Sequence, residues 1–273
     1  MRLTCLVDNC VQAGSSLWGE HGLAFLIETE GGNVLWDTGQ SGTVLWHNWE
    51  ALGLQDVPLA AIALSHAHYD HTGGLLSVLE RRPGLALYGH SALLTPRYSR
   101  RGAELRAIGL AWPREELERR ASLQLAEAPQ EIVPGVWTSG SIQPRPHPQG
   151  ASAHHLQGRS GELVPDRYED DLSLVLQTNE GWVLLCGCCH AGLRNTLAAV
   201  RALGHGPLRA IVGGTHLTSA DAAELAAIVA LLRAEGPPDI YLNHCTGEKA
   251  FLALYQALGQ RVHSCPAGTQ LAF

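Results

Sequence analysis

The sequence has 273 residues, 45% of them hydrophobic, and its 19 basic and 26 acidic side chains give a formal charge of −7. That is enough apolar chain for one large core, and without a basic block it is a poor match for a phosphate backbone, so nucleic acid is not expected as a partner. No apolar run reaches the roughly 18 to 20 residues of a membrane span, and the start Met1-Arg2-Leu3-Thr4-Cys5 is too polar for a secretion signal, so a cytoplasmic chain with no membrane partner is expected.

Short apolar runs closed by turn residues follow one another from the start. Leu3–Val7, Ala24–Thr29 and Asn33–Asp37 read as an antiparallel meander, with Glu30-Gly31-Gly32 as a hairpin turn. Gly42–Gly53 reads as a helix, Leu59–Ser65 as a strand, and Thr72–Arg82 as a helix stopped by Pro83. Leu85–Gly89 follows as a strand, then Arg97-Tyr98-Ser99-Arg100-Arg101 as a solvated loop whose arginines could hold a phosphate, and Pro113–Arg120 as a short charged helix.

The second half repeats the style. Leu123–Ala126, Val136–Ser139, Leu172–Gln177 and Trp182–Cys186 read as strands, and Leu193–Leu203 as a helix. Leu208–Val212, Asp239–Leu242, Arg261–Ser264 and Gln270–Phe273 are further strands, separated by helices at Ala220–Ala234 and Gly247–Leu258. Strands lead and helices follow, twice, which predicts two sheets face to face with helices outside, an αββα sandwich spanning residues 1–273 as one domain. Pro144–Pro165, rich in Pro, Gly, Ser and His, has no periodicity and reads as a long lid or binding loop within that domain.

Composition points to metal chemistry. Fourteen histidines accompany a single methionine, and the seven cysteines, three of them crowded at Cys186, Cys188 and Cys189, read as reduced thiols and not as a disulfide framework. The decisive segment is Ser65-His66-Ala67-His68-Tyr69-Asp70-His71-Thr72-Gly73-Gly74, placed between an apolar strand and a helix. His66 and His68, two apart at an extended strand end, point the same way, and a tight turn eased by the glycines brings Asp70 and His71 beside them. One histidine at a strand end is more often structural than a ligand. Three imidazoles and a carboxylate in this compass instead suit two adjacent divalent ions, zinc first, with manganese or iron as the other candidates.

Later strand ends repeat the pattern. Trp182–Gly187 leads into Cys188-Cys189-His190-Ala191-Gly192, Ala210–Val212 into Gly213-Gly214-Thr215-His216-Leu217, and Ile240–Leu242 into Asn243-His244-Cys245-Thr246-Gly247, each followed by a helix. Metal sites in a sandwich gather along one edge, so these turns are the expected source of the remaining ligands.

His-x-His-x-Asp-His resembles the signature of the metallo-β-lactamase superfamily, and Trp36-Asp37-Thr38-Gly39 resembles its early strand-end Asp-x-Gly element. The later turns, together with Asp170-Asp171 and Asn195, resemble one branch of it, which includes the 7,8-dihydropterin-6-methyl-4-(β-ribofuranosyl)aminobenzene 5′-phosphate synthases and many uncharacterised hydrolases. The resemblance implies that His66, His68, Asp70, His71 and His244 are metal ligands, with His190 or Cys188 where relatives carry a bridging Asp, His190 being favoured. It also implies that Asp37 orients ligands without touching metal. Ser139-Gly140-Ser141 stands where relatives have a ligand histidine in Gly-His-Thr; His154, His155 or His216 are the candidate replacements, although the loop histidines His147, His154 and His155 are expected in solvent. Asp70 and His216 are the residues expected to serve catalysis, His216 by contacting substrate or moving a proton.

The implied function is that of a metal-dependent hydrolase or transferase, in which a dinuclear site activates water or a phosphate leaving group on a small phosphorylated substrate. The alternative is a ligand-binding regulator that keeps the metal site as a scaffold.

Overall fold

The structure is a computed structural model and describes residues 1–234 and 236–273. The first half contains β1 (Arg2–Val7), β2 (Ala24–Thr29), β3 (Gly32–Trp36), α1 (Gly42–Ala51), β4 (Ala61–Ala63), α2 (Tyr69–Thr72), α3 (Leu75–Arg81) and β5 (Ala86–Gly89). Next come β6 (Arg97–Arg101), β7 (Glu104–Ala107), α4 (Arg114–Glu118), β8 (Ser122–Leu125), β9 (Glu131–Val133), β10 (Val136–Thr138), β11 (His155–Arg159) and β12 (Glu162–Pro165). The last part holds β13 (Ser173–Thr178), β14 (Gly181–Cys186), α5 (Leu193–Val200), β15 (Leu208–Gly213), α6 (Ala222–Ala234), β16 (Asp239–Leu242), α7 (Glu248–Leu258), β17 (Val262–Ser264) and β18 (Gln270–Ala272).

Two seven-stranded sheets, ordered β18-β1-β2-β3-β4-β5-β8 and β17-β16-β15-β14-β13-β10-β9, form the inner layers. In each, an antiparallel half meets a parallel half: pairing changes sense at β3 in the first sheet and at β14 in the second. The alternation along single strands shows why both faces are apolar. In β2, Phe25 and Ile27 join the layer between the sheets while Ala24 and Leu26 lie under the first set of helices. In β14, Val183 and Leu185 face the other sheet, and Trp182, Leu184 and Cys186 face the second set of helices. Three apolar layers therefore separate four layers of structure, the expected αββα sandwich.

The carboxyl ends of the parallel strands lie along one edge. β3 ends before Asp37, β4 before His66, β14 before Cys188 and His190, β15 before His216, and β16 before His244. A crevice outside the carboxyl ends of parallel strands, where pairing changes sense, is where open α/β sheets place ligands.

Sequence reading differs from the structure most in one region. Arg97–Arg101 is strand β6 and not a loop, and the second half of Pro144–Pro165 is the hairpin β11–β12; with β7 they form a third sheet ordered β12-β11-β6-β7. Its strands are short and polar, so no hydrophobic alternation marks them. Arg97 binds it to the body: its guanidinium, fully buried, pairs with Asp170 at 2.6 Å and Asp166 at 3.1 Å. Gly73 and Gly74 also serve otherwise than expected. Their φ values are the ordinary −67° and −80°, but a Cβ on Gly73 would lie 2.0 Å from the Gln40 carbonyl oxygen and one on Gly74 2.3 Å from that of Thr38. These glycines permit close packing of the histidine turn on the loop after Asp37.

Candidate metal centre

The strand-end turns converge. His66, His68 and His190 bring ring nitrogens within 4.8 Å of one another, and so do the ligand atoms of His66, His71 and Cys188. On the far side of His71, its Nε2 lies 3.2 Å from Nε2 of His244 and 3.6 Å from Asp70 Oδ2, and His244 Nε2 is 3.4 Å from the same carboxylate oxygen. The six residues expected as ligands are therefore neighbours, arranged as two adjoining groups: His66, His68 and His190 in one, Asp70, His71 and His244 in the other. Cys188 lies between them, its sulfur 3.2 Å from His71 Nε2.

Hydrogen bonds outside the cluster aim the imidazoles inward. His71 Nδ1 faces Asp37 Oδ2 at 2.7 Å, His190 Nδ1 the Gly150 carbonyl at 2.7 Å, and His244 Nδ1 the Asn9 side-chain oxygen at 3.0 Å. Each acceptor favours the tautomer with its proton on Nδ1 and leaves the Nε2 lone pair toward the centre. Asp37 does not reach the cluster itself. Its two oxygens also accept from the backbone and hydroxyl of Ser65, at 2.7 and 2.8 Å, and the Ser65 hydroxyl in turn meets His66 Nδ1 at 2.8 Å. Asp37→Asn keeps the shape but removes the charge behind His71. It should weaken metal binding about 10- to 100-fold, read by competition with a chromogenic chelator.

Two further aspartates fix the backbone of the turns. Asp170 accepts from the Ala67 amide at 2.8 Å, between His66 and His68, and Asp171 accepts from the Ala191 amide at 2.8 Å, next to His190. Asn195 bridges Ala191 to His147, holding the 147–150 segment over the same turn. Backbone strain gathers here too. Among the described residues, Asp37, Tyr168, Cys189, His216, His244 and Ser160 are the non-glycines with positive φ, and all but Ser160 border the cluster. Side chains held in the left-handed region at a cost of about 1 to 3 kcal/mol each mark positions where geometry outweighs local stability.

Electrostatics separate the two groups. Burial, reinforced by neighbouring histidines, pushes His66 and His190 well below the usual imidazole range, and burial lowers His68 against the pull of Asp70. These rings are neutral donors. Burial would lower His71 as well, but Asp37 and Asp70 override it and raise the ring to about 9, so a cation taken up there would have to displace the proton on Nε2. Burial likewise opposes charge on Asp70, yet His71 and His244 hold its carboxyl well below the usual range.

Donor chemistry fits a cation. Nε2 of His66, His68 and His190 are buried and have no hydrogen-bond partner, although three such nitrogens face one another. Buried polar atoms left bare cost stability unless something binds them, and a divalent ion is the group that accepts three imidazole lone pairs at once.

The cluster floors a cavity of about 390 Å³. His216 lines it, half-buried, with its ring 4.4 Å from His190 and a buried Nδ1 that has no partner. His155, expected in solvent, also lines it: the Tyr168 hydroxyl meets its Nδ1 at 3.0 Å, and its ring lies 5.1 Å from that of His68. His154 stays exposed and His147 does not reach the cavity, and the histidine grouped with His66 and His68 is His190. The position of the missing Gly-His-Thr histidine is filled differently, with Ser141 bonded to His90 at 2.7 Å.

Two neighbours of the second group escaped sequence reading. His21, half-exposed, sits 3.3 Å from Asp70 and stacks on His244; a lone histidine in a glycine-flanked loop carried no signal. Cys245 gathers with Cys188 and His244, and although burial opposes it, a hydrogen bond from Cys188 and the nearby His244 and His216 favour its thiolate.

The sequence model of the metallo-beta-lactamase superfamily matches residues 17–188. The chain belongs to that superfamily. The fold implies divalent metal binding, for which the histidine cluster supplies the candidate residues. A protein from Methanocaldococcus jannaschii, 7,8-dihydropterin-6-methyl-4-(beta-D-ribofuranosyl)-aminobenzene-5′-phosphate synthase, is 26% identical over 97% of this chain and 95% of its own length. An uncharacterised protein of the same organism is 29% identical, covering 92% of this chain and 93% of its own. Among solved structures, a metal-dependent hydrolase of the beta-lactamase superfamily superposes with a TM-score of 0.86 at 29% identity, over 100% of this chain and 99% of that one. No helix among the described residues is long and apolar enough to cross a membrane.

Proposed function

We propose that this superfamily member is an enzyme that binds two divalent cations, zinc in the first instance, and hydrolyses or transfers a group of a small phosphorylated molecule. His66, His68 and His190 hold one cation; Asp70, His71 and His244 hold the other, with Cys188 between them. The observation that carries this reading is the trio of buried, partnerless Nε2 atoms facing one another on His66, His68 and His190. Bound there, divalent ions supply Lewis acidity, lowering the pKa of water toward about 7 and neutralising charge that builds on a phosphate leaving group.

The chain's own residues do the rest. Asp70, kept ionised by His71 and His244, presents an anionic oxygen at the floor of the cavity. Asp37, Ser65, Gly150 and Asn9 hold the imidazoles so that no ring must turn during reaction. His216, which lines the cavity beside His190, would accept or return a proton at the leaving atom. Residues of both halves build the one cluster, so the chain acts as a single unit. The phosphorylated substrate class draws on the synthase named among its relatives, whose product is a 5′-phosphate.

Turnover of bis-p-nitrophenyl phosphate tests the proposal. Activity should disappear after dialysis against a chelator and return with Zn²⁺ or Mn²⁺. A chain that binds the ions fully and turns over neither this ester nor any of a panel of phosphoesters and pterins would instead be a ligand-binding regulator.

A further inference from the structure

We propose that Arg101 and Arg106 form an anchor for a phosphate group of the substrate other than the one that reacts, so that the substrate is a small molecule carrying a phosphate monoester remote from its reacting bond. This rests on the reading of the cavity as an active site and names the class of molecule it takes.

The third sheet supplies the argument. In the antiparallel pair β6–β7, Ser99 lies opposite Arg106 and Arg101 opposite Glu104, so these four side chains share one face. His155 lies opposite Ser99 on the neighbouring strand and joins that face. All five line the cavity above the histidine cluster, whereas Arg100, one residue along, points to the other side. The face is fixed in place. The Tyr69 amide, between His68 and Asp70, donates to the Ile108 carbonyl at 2.9 Å just after β7, and the Arg106 guanidinium carbon lies 4.6 Å from the centre of the Tyr69 ring.

Both guanidiniums are available. Among the described residues neither has an ion pair or hydrogen bond, and Glu104, the carboxylate on the same face, closes no contact with Arg101. The chain carries a formal charge of −7, so two arginines together on one wall of the cavity run against its overall sign. Planar guanidinium forks match phosphate oxygens, and one resting on an aromatic ring loses little freedom when it takes up an anion. The cavity, at about 390 Å³, accommodates a small molecule reaching from the cluster to the hairpin.

Calorimetric titration of the full-length, metal-loaded chain separates the two ends. Fructose 1,6-bisphosphate serves as a probe with two phosphates and phenyl phosphate as a probe with one. The double variant Arg101→Gln, Arg106→Gln should bind the bisphosphate about a hundredfold more weakly, roughly tenfold per arginine, while phenyl phosphate loses less than about threefold. Arg100→Gln, which removes the same charge from the opposite face, should change neither probe. Bisphosphate affinity that is unchanged in the double variant, or no tighter than that of phenyl phosphate in the wild type, overturns the proposal. Failure of phenyl phosphate to bind while bisphosphate binding stays arginine-dependent would sustain the anchor and count against the metal centre alone.

Discussion

His68→Ala and His190→Ala should each lose metal and activity together, by more than about a hundredfold, the upper end seen when only an outer hydrogen-bond partner of a ligand is removed. The expectation follows from geometry: both rings are buried, neutral and contribute a bare Nε2 to the same group of three. Removing either leaves two imidazoles, too few to hold a divalent ion against water. Metal content and turnover, measured on the same preparation, decide it. The His190 variant also separates the two candidates in its turn. If Cys188→Ser lost the ion and His190→Ala kept it, the cysteine would be the ligand and His190 a stacking partner of Tyr168, on whose ring it lies at 4.2 Å.

Arg97→Met should destabilise the fold by about 3 to 5 kcal/mol, the usual consequence of stripping one partner from a buried ion pair. Arg97, Asp166 and Asp170 are all buried, and the methionine would leave two carboxylates facing each other without a cation. A urea titration reads the loss as a lower midpoint at unchanged slope. Because Asp170 also holds the Ala67 amide between His66 and His68, metal affinity should fall with stability. Adding Asp166→Asn and Asp170→Asn to Arg97→Met should recover part of the stability, since neutral amides are cheaper to bury than unpaired charges.

What the sequence revealed follows from how each feature is encoded. The inner sheets were legible because β2, β4, β14 and β15 are apolar and each ends at a turn residue, and the helices because their boundaries carry glycine or proline. His66 through His71 were legible because four ligand types fall within one turn, and His190, His216 and His244 because each repeats the strand–turn–helix setting. The third sheet was not. Arg97–Arg101, Glu104–Ala107 and Glu162–Pro165 lack a hydrophobic face, and the sheet is tied to the body by an arginine whose carboxylate partners lie about 70 residues away in sequence. His155 was misjudged for the same reason: without β11, nothing turns it from solvent toward His68. His21 and Cys245 gain meaning only from Asp70 and Cys188, contacts that no local pattern records.

Elemental analysis of the wild-type chain, equilibrated with zinc and freed of unbound ion, is the most direct measurement. The convergence of imidazoles from three turns predicts about two equivalents per chain, as in other two-metal sites. A correctly folded chain that retained no zinc, and no manganese or iron in parallel samples, would contradict it.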